Sequence, residues 1–186
     1  MKILATPLQG LAVVETAPFR DERGEFTRAF CAHELGTLLQ ARQITQVNLS
    51  STHLPGTIRG LHFQRAPHGE MKFVRCTRGS VWDVAVDLRP HSPTFLHWHA
   101  EIISAVDRRM MAIPEGFAHG FQTLEPDSEL LYLMTAPYQP ASTAGIRWDD
   151  PALAIAWPLP QRNVSSRDAA LPCLDTLDPL TIGAAG

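Results

Sequence analysis

Two segments of the sequence combine a histidine with glycines and polar side chains that could transfer a proton. Residues 56–64 contain Arg59 and His62, and residues 113–121 contain His119 after a Pro-Glu-Gly turn. An imidazole titrates near neutral pH and therefore suits general acid–base chemistry. Neighbouring glycines let a ligand approach the backbone closely. We take these two histidines as candidate site residues and expect core or surface positions for His33, His53, His91, His97 and His99.

Metal binding is a second chemistry to consider for these segments. The pattern Pro-x-Gly-x-x-His that ends at His119 resembles the second conserved motif of the cupin superfamily. Metal-binding cupins have His-x-His in the first motif, whereas this chain has His62 followed by Phe and Gln64. An amide is a poor ligand for a transition metal. The His-x-His at residues 97–99 has no neighbouring pattern that completes a site, so we predict no metal and no other cofactor.

The elements that must position these residues are predicted to be short β-strands. Apolar runs and alternating segments are separated by turn signals such as Pro-Gly and Arg-Gly. One helix is predicted over residues 32–43, and a shorter one starts near Ser165. With the cupin-like motif, this pattern predicts an all-β cupin jelly-roll barrel (a double-stranded β-helix) with a few short peripheral helices. The predicted strands include residues 11–14, 44–50, 72–76, 80–88, 101–104, 110–113 and 130–134.

Alternation within three strands bears on where a site could lie. In residues 44–50, Gln46 and Asn48 share a polar face that is directed either to solvent or to a wet pocket inside the barrel. Lys72 alternates with apolar residues and is either an edge guard or a pocket cation. Tyr132 lies in an apolar row, where a buried hydroxyl needs a partner.

The strand that contains His62 poses a problem of geometry. Arg59 and His62 fall on opposite faces of a regular strand, because successive side chains alternate. Gly60 lies between them, and a glycine inside a strand often marks a bulge. A bulge at Gly60 could re-aim one of the two side chains, so that both face one site.

Composition and charge limit the other function classes. The 186 residues are 45% hydrophobic and 19% charged, which fits one globular domain over residues 1–186 with a short flexible tail from about 175 to 186. The net charge is −3 and the basic residues are scattered, which argues against a nucleic-acid surface. No apolar run approaches the roughly 20 residues of a membrane span. With three widely spaced cysteines and no apolar leader, the sequence predicts a cytoplasmic protein without a membrane.

A series of motifs runs along most of the chain. They are Asp-Glu-Arg-Gly-Glu-Phe at 21–26, Gln-x-Asn-x-Ser at 46–50, Ile-Arg-Gly-Leu-His-Phe-Gln at 58–64, Lys-Phe-Val-Arg at 72–75, Asp-Val-Ala-Val-Asp-Leu-Arg at 83–89, Ser-Pro-Thr-Phe at 92–95, residues 113–121, Trp-Asp-Asp-Pro at 148–151, Trp-Pro at 157–158 and Ser-Ser-Arg-Asp at 165–168. In this order and spacing the chain resembles the dTDP-4-dehydrorhamnose 3,5-epimerase family from about residue 19 to about residue 172.

The resemblance implies inversion at a carbon next to a ketone. This reaction needs a base, a cation or donor at the enolate oxygen, and an acid on the opposite face. The family pattern makes His62 the base, Asp168 the carboxylate that orients its ring, Lys72 the cation and Tyr132 the proton donor. Structural roles stay open for two of them, since Asp168 also fits a capping box with Ser165 and Tyr132 also fits a core tyrosine.

The resemblance also implies a nucleotide-linked 4-keto sugar as substrate, with dTDP as the first choice. It implies a homodimer in which N-terminal strands, within residues 4–14, cross to the partner sheet. Tyr138 either stacks on the nucleotide base or is a plain surface tyrosine. The implied substrate-binding residues are Arg23, Gln46, Asn48, Arg59, His119, Tyr138 and Arg167.

Four residues depart from the family pattern. Arg28, Val47 and Thr143 stand where acidic residues are expected, and Glu70 replaces a glutamine. Arg28 and Thr143 fall where the nucleotide is expected to bind. CDP or another nucleotide therefore stays open beside dTDP, as does inversion at carbon 3, carbon 5 or both.

Three other functions remain open from the sequence. The first is a metal-dependent cupin enzyme such as a dioxygenase, which would retain a metal after purification. The second is a ketoisomerase of a similar sugar nucleotide, which would move the carbonyl group. The third is a non-catalytic sugar-nucleotide binding module, which would bind its ligand without exchanging protons with solvent.

Overall fold

The computed structural model describes residues 1–176, which form mostly β-strands. Two short α-helices, α1 (Gly36–Leu39) and α2 (Ser166–Ala169), and two 3₁₀ turns, Pro140–Ser142 and Leu174–Thr176, lie among them. The strands are β1 (Lys2–Ala5), β2 (Ala12–Glu15), β3 (Phe19–Asp21), β4 (Gly24–Phe26), β5 (Gln46–Thr52), β6 (Thr57–Gln64), β7 (Lys72–Arg78), β8 (Ser80–Asp87), β9 (Trp98–Ser104), β10 (Met110–Ile113), β11 (Phe117–Thr123), β12 (Ser128–Met134), β13 (Thr143–Gly145) and β14 (Asn163–Val164).

Two sheets form the body of the fold. The first has the strand order β1-β2-β10-β7-β12-β5, and the second has the order β13-β6-β11-β8-β9, with β14 parallel to β6. Strands β3 and β4 form a separate hairpin. This arrangement confirms the predicted all-β architecture with few helices. The N-terminal strands, which the resemblance implies cross to a partner sheet, pair with each other within this chain as β1 and β2.

The core lies between the two sheets and also covers their outer faces. Val74 and Leu130 of the first sheet pack with Ala85 and Phe121 of the second. Phe73, the neighbour of Val74, faces the other way and packs under α1 with Leu35 and Leu39. A third cluster buries the outer face of the second sheet beneath residues 144–157. Burial on both faces explains why strands such as β8 have continuous apolar runs instead of clear alternation.

The predicted helix over residues 32–43 is wrong in its length. Only Gly36–Leu39 is α-helical, because the backbone of Gln40 takes a φ of 54° and ends the helix. No side chain caps its N-terminus at Leu35. The shorter predicted helix near Ser165 is present as α2, with Ser165 as its N-cap.

A bulge in β6 resolves the geometry of Arg59 and His62. The register between β6 and β11 shifts, so that His119 lies opposite His62 while Phe121 lies opposite Arg59. Gly60 provides the irregular backbone with a φ of 134°. A Cβ atom at this residue would lie 2.6 Å from the Cα atom of Gly120, so close packing of two glycines is part of the bulge.

The sequence also predicted that the chain has no membrane span and that it ends in a short tail. Within residues 1–176, no helix has the length and apolar character of a membrane-spanning segment. The predicted tail, about 175–186, falls mostly outside the described residues, and only Asp175 and Thr176 of it lie within them.

Candidate active site

A cavity of about 610 Å³ opens between strands β5, β7 and β12 of one sheet and β6 and β11 of the other. Both sheets therefore contribute side chains to its wall. All of the predicted site residues line this cavity except Arg23 and Gln46, and those that line it are Asn48, Arg59, His62, Lys72, His119, Tyr132, Tyr138, Arg167 and Asp168.

His62 and Asp168 form a pair at the wall that β6 provides. The Nε2 atom of His62 lies 2.7 Å from the Oδ1 atom of Asp168, and the backbone N–H of Gly60 donates to the Oδ2 atom at 3.2 Å. About a third of the His62 side chain remains exposed, while Asp168 is buried. With Nε2 directed to the carboxylate, Nδ1 is the ring nitrogen left for a ligand.

The local fold of α2 fixes the carboxylate of this pair. The Oγ atom of Ser165 accepts a hydrogen bond from the backbone N–H of Asp168, which is the predicted cap. Asp168 thus has its place in the cap and its contact with His62 at the same time. Burial raises the pKa of Asp168, but the hydrogen bond and charge of His62, the Gly60 N–H and Arg167 outweigh it, so that the pKa falls below its usual value of 3.8.

Tyr132 faces the cavity from the opposite sheet, on β12. Its ring packs edge-to-face with that of His119 at 5.9 Å between centroids. The Nε2 atom of His119 lies 2.7 Å from the Oδ1 atom of Asp83, and both of these residues are buried. Burial and, to a lesser extent, the charge of Asp83 raise the pKa of Tyr132 above its usual value, against an opposing effect of Arg59. The phenol therefore stays protonated at neutral pH.

Lys72 faces the same cavity from β7 and is no edge guard, because β7 lies inside its sheet between β10 and β12. Its Nζ atom lies 3.0 Å from the Oε1 atom of Glu70 and 3.5 Å from the backbone carbonyl oxygen of His62. Lys72 and Glu70 are both buried and both line the cavity. The ammonium group is thus a buried cation next to the strand that holds His62.

Polar and aromatic residues surround the cavity further out. The Nε atom of Arg59 donates to the Oγ1 atom of Thr52 at 3.0 Å, which fixes the guanidinium at the wall. Asn48 also lines the cavity, so the polar face of β5 is directed to the cavity, while the neighbouring Val47 is exposed on the outside. Gln46 does not line the cavity, but its side-chain oxygen accepts a hydrogen bond from the backbone N–H of Tyr138 at 2.9 Å. It therefore acts on the cavity wall through Tyr138.

The structure does not bring Arg23 to the cavity. Arg23 lies in the turn of the β3–β4 hairpin, its side chain is 83% exposed, and it forms an ion pair with Asp21. Arg28, which the sequence places near the nucleotide, instead pairs with Glu34. The sequence pattern placed Arg23 in one of the motifs, but it did not show that the β3–β4 hairpin extends away from the cavity of its own chain.

Sequence reasoning missed the contacts of Asp83 and of the pair Glu70 and Gln64. The signal for Asp83 was a charged residue inside the otherwise apolar residues 81–86 of β8, where burial demands a partner such as His119. Gln64 is fixed by protein groups, since its Nε2 atom shares its two hydrogens among Glu70 and two backbone carbonyl oxygens. Within residues 1–176, no three His, Cys, Asp or Glu side chains are grouped to hold a metal ion.

Known proteins show the same combination of sequence and fold. The family profile of dTDP-4-dehydrorhamnose 3,5-epimerase matches residues 5–176. The dTDP-4-dehydrorhamnose 3,5-epimerase of Salmonella typhimurium is 42% identical over 94% of this chain and 96% of its own length. The crystal structure of dTDP-6-deoxy-D-glucose-3,5-epimerase from Legionella pneumophila, in complex with dTDP-4-keto-L-rhamnose, superposes with a TM-score of 0.93, at 37% identity over 100% of this chain and 98% of that one.

A 3'-monoepimerase from Streptomyces bikiniensis, in complex with dTDP-quinovose, has the same fold with a TM-score of 0.86, at 31% identity over 93% of this chain and 88% of that one. The likeness to these structures confirms the predicted cupin jelly-roll barrel. The chain therefore belongs to the dTDP-4-dehydrorhamnose 3,5-epimerase family and is an isomerase that acts as a carbohydrate epimerase.

Proposed function

We propose that this epimerase inverts carbon 3, carbon 5 or both of a dTDP-linked 4-keto-6-deoxy sugar, and that His62, Asp168, Lys72 and Tyr132 are its catalytic residues. The observation that carries the proposal is the placement of these side chains around one cavity, with the imidazole on one sheet and the phenol on the other. A base and an acid on opposite walls suit proton removal from one face and proton return to the other.

In the first step, His62 removes the proton from the carbon next to the ketone. The carboxylate of Asp168, 2.7 Å from Nε2, fixes the ring and stabilises the imidazolium that forms. Because its pKa is lowered, Asp168 is ionised at neutral pH and can fulfil this role. The arrangement leaves Nδ1 of His62 to accept the proton.

Removal of the proton moves negative charge onto the carbonyl oxygen. A buried ammonium group interacts more strongly with such a charge than one in water, because the local dielectric is low. Lys72 is this group in the proposal, with 6% of its surface exposed. Arg59 and His119 line the wall beside it and contact the substrate.

In the second step, Tyr132 returns a proton to the opposite face of the enolate. Its raised pKa keeps the hydroxyl group protonated until the carbanion accepts the proton. The neighbouring His119 and its partner Asp83 hold the ring of Tyr132 in place from the β11 side.

The nucleotide part of the substrate is proposed to bind at the outer part of the cavity. Arg167 adds positive charge there for the diphosphate, Asn48 adds amide contacts, and Tyr138 offers an exposed ring for stacking on the base. The dTDP moiety is supported by the relatives from Legionella and Streptomyces, whose structures contain dTDP-linked sugars. Arg28 and Thr143, in place of acidic residues, make the nucleotide the part of the substrate that most needs a direct test.

We further propose a homodimer. The outer face of β5 exposes Val47 and Leu49, and the β3–β4 hairpin exposes Phe19 and Phe26. Apolar surface of this kind is typical of an interface. A dimer also gives Arg23, which is remote from the cavity of its own chain, a route to the phosphates in the partner's cavity.

The enzyme is proposed to work in the cytoplasm as a single domain. Its three cysteines, Cys31, Cys76 and Cys173, are free thiols, as expected in a reducing compartment. The described residues share the two packed sheets and the clusters that cover them, which supports one folding unit.

The proposal is tested with a panel of 4-keto-6-deoxy sugars linked to dTDP, CDP, UDP and GDP, each incubated with the enzyme in deuterated water. Deuterium at carbon 3, carbon 5 or both, with inverted configuration by NMR, identifies the substrate and the positions. Movement of the carbonyl group would indicate a ketoisomerase instead. Binding without exchange for the whole panel would contradict catalysis on such sugars.

A further inference from the structure

Glu70 forms a buried ion pair with Lys72 inside the proposed active site. The two side chains are 8% and 6% exposed, and the Oε1 atom of Glu70 lies 3.0 Å from Nζ. A buried carboxylate is costly unless all of its oxygens have partners. The Oε2 atom of Glu70 therefore also needs a partner.

The second oxygen of Glu70 is held by Gln64. The Nε2 atom of Gln64 lies 3.2 Å from Oε2 of Glu70, and its two hydrogens are shared among this oxygen and the backbone carbonyl oxygens of His68 and Pro137. The Oε1 atom of Gln64 accepts from the backbone N–H of Gln139 at 2.6 Å. These backbone partners fix the orientation of the amide, so Gln64 presents a donor to residue 70.

Residue 70 therefore has two partners at once, a hydrogen bond from Gln64 and the ion pair with the ammonium group of Lys72. A carboxylate has an acceptor oxygen for each of them, whereas a carboxamide has one oxygen and an N–H₂ group. The chain from Gln64 through Glu70 to Lys72 starts two residues from His62 on the same strand, and Nζ also lies 3.5 Å from the His62 carbonyl oxygen. The cation is thereby located relative to the base.

We propose that Glu70 is a positioning residue that holds the ammonium group of Lys72 where the enolate oxygen forms. This inference rests on the proposed function, in which Lys72 stabilises the enolate. Glu70 acts through Lys72 alone, so its effect belongs to the transition state and not to substrate binding. A misplaced cation loses much of its effect, because electrostatic stabilisation depends on preorganised geometry.

The test measures steady-state kinetics and deuterium exchange of the Glu70→Ala and Glu70→Gln variants with the sugar nucleotide that the wild-type enzyme turns over. We expect kcat of Glu70→Ala to fall by roughly 10- to 100-fold, with little change in KM. Glu70→Gln, which keeps one acceptor oxygen, should lie between this variant and the wild type. This graded rescue is not expected from a loss of packing, since Gln and Glu have similar volumes.

A double-mutant cycle with Lys72→Met shows whether Glu70 acts through Lys72. In the Lys72→Met background, Glu70→Ala should cause no further loss of exchange, which NMR can follow over hours. Glu115→Ala is the matched control, since Glu115 also forms an ion pair, with Arg42, but does not line the cavity, and its kcat should equal that of the wild type. Circular dichroism and thermal melting verify the fold of each variant, and Glu70→Gln is used in the cycle if Glu70→Ala does not fold.

Wild-type kcat in Glu70→Ala, or in Glu70→Gln where that variant replaces it, would overturn the inference. The inference would also be overturned if the substitution at Glu70 lowered the exchange rate by the same factor in the wild-type and in the Lys72→Met background. A wild-type enzyme that exchanges no sugar of the panel would instead contradict the proposed function, so the two failures are distinguishable.

Discussion

At the scale of single residues, two histidines that each pair with a carboxylate line the cavity, and their surroundings differ. His62 keeps about a third of its side chain exposed to the cavity, whereas His119 and its partner Asp83 are both buried. Only the first imidazole is accessible enough to accept a proton from a ligand. This difference in exposure supports the proposed base role of His62 and a supporting role for His119.

The first prediction concerns the base. His62→Asn should lower solvent exchange at every sugar position by roughly 100-fold or more, because no other group in the proposal removes the proton. The measurement is deuterium incorporation by NMR. His53→Asn is a matched control, since His53 also pairs with an aspartate at 2.8 Å but lies on the exposed surface. Equal exchange rates in the two variants would contradict the assignment.

The second prediction concerns the acid. Tyr132→Phe should reduce net inversion more than loss of the substrate proton, because abstraction by His62 does not require a donor on the far face. NMR measures the rate of inversion and the rate of deuterium entry in the same sample, and their ratio should be lower in Tyr132→Phe than in the wild type. If both rates fall by the same factor, Tyr132 takes part in abstraction or serves only the packing.

At the scale of elements, the bulge in β6 decides whether Arg59 and His62 share the cavity. We predict that Gly60→Ala destabilises the fold by about 1–3 kcal/mol and removes activity, because its Cβ would lie 2.6 Å from Gly120 and 3.0 Å from the carbonyl oxygen of His119. Gly24→Ala is the matched control, with a similar φ of 129° but open space around it. Denaturant unfolding and the exchange assay measure both effects. Equal destabilisation by the two variants would show that backbone strain alone matters at Gly60.

The sequence was sufficient to predict most strands and the possible bulge, because alternation and glycine position are local signals. It overestimated the helix at residues 32–43, since the apolar spacing of its leucines does not reveal the positive φ of Gln40. It could not show that the β3–β4 hairpin holds Arg23 away from the cavity, because that depends on packing between distant segments. The ion pair of Glu70 with Lys72 was equally hidden. A glutamate two residues from a lysine is common on protein surfaces, and the sequence does not show that both side chains are buried here.

At the scale of the whole molecule, apolar side chains are exposed mainly where the two sheets end and where the hairpin projects. The outer face of β5 has Val47 and Leu49 at 56% and 65% exposure. Both belong to an edge strand, because β5 ends the first sheet. This face and the hairpin are therefore the surfaces on which the proposed dimer depends.

The fourth prediction concerns the assembly. The wild-type protein should have about twice the mass of one 20.5 kDa chain by light scattering, and the double variant Val47→Lys, Leu49→Lys should have the mass of one, because four charges would enter an apolar interface. Ile102→Lys, at an exposed apolar residue of β9 on the other sheet, should stay dimeric. If the double variant keeps the mass of two chains, the interface lies on another surface.

The partner of His62 arrives late when the chain is synthesised. Asp168 follows His62 by 106 residues along the chain, and every strand of both sheets, including the short β14, precedes it in sequence. On the ribosome, His62 and the strands of the cavity wall are therefore synthesised before Asp168, the carboxylate proposed to orient the imidazole. In the proposed mechanism, the nascent barrel can close before it is a competent catalyst, and we expect activity to begin only when α2 docks against β6. Proteolytic loss of residues from 163 onward would, for the same reason, leave a folded barrel whose base has lost its orientation.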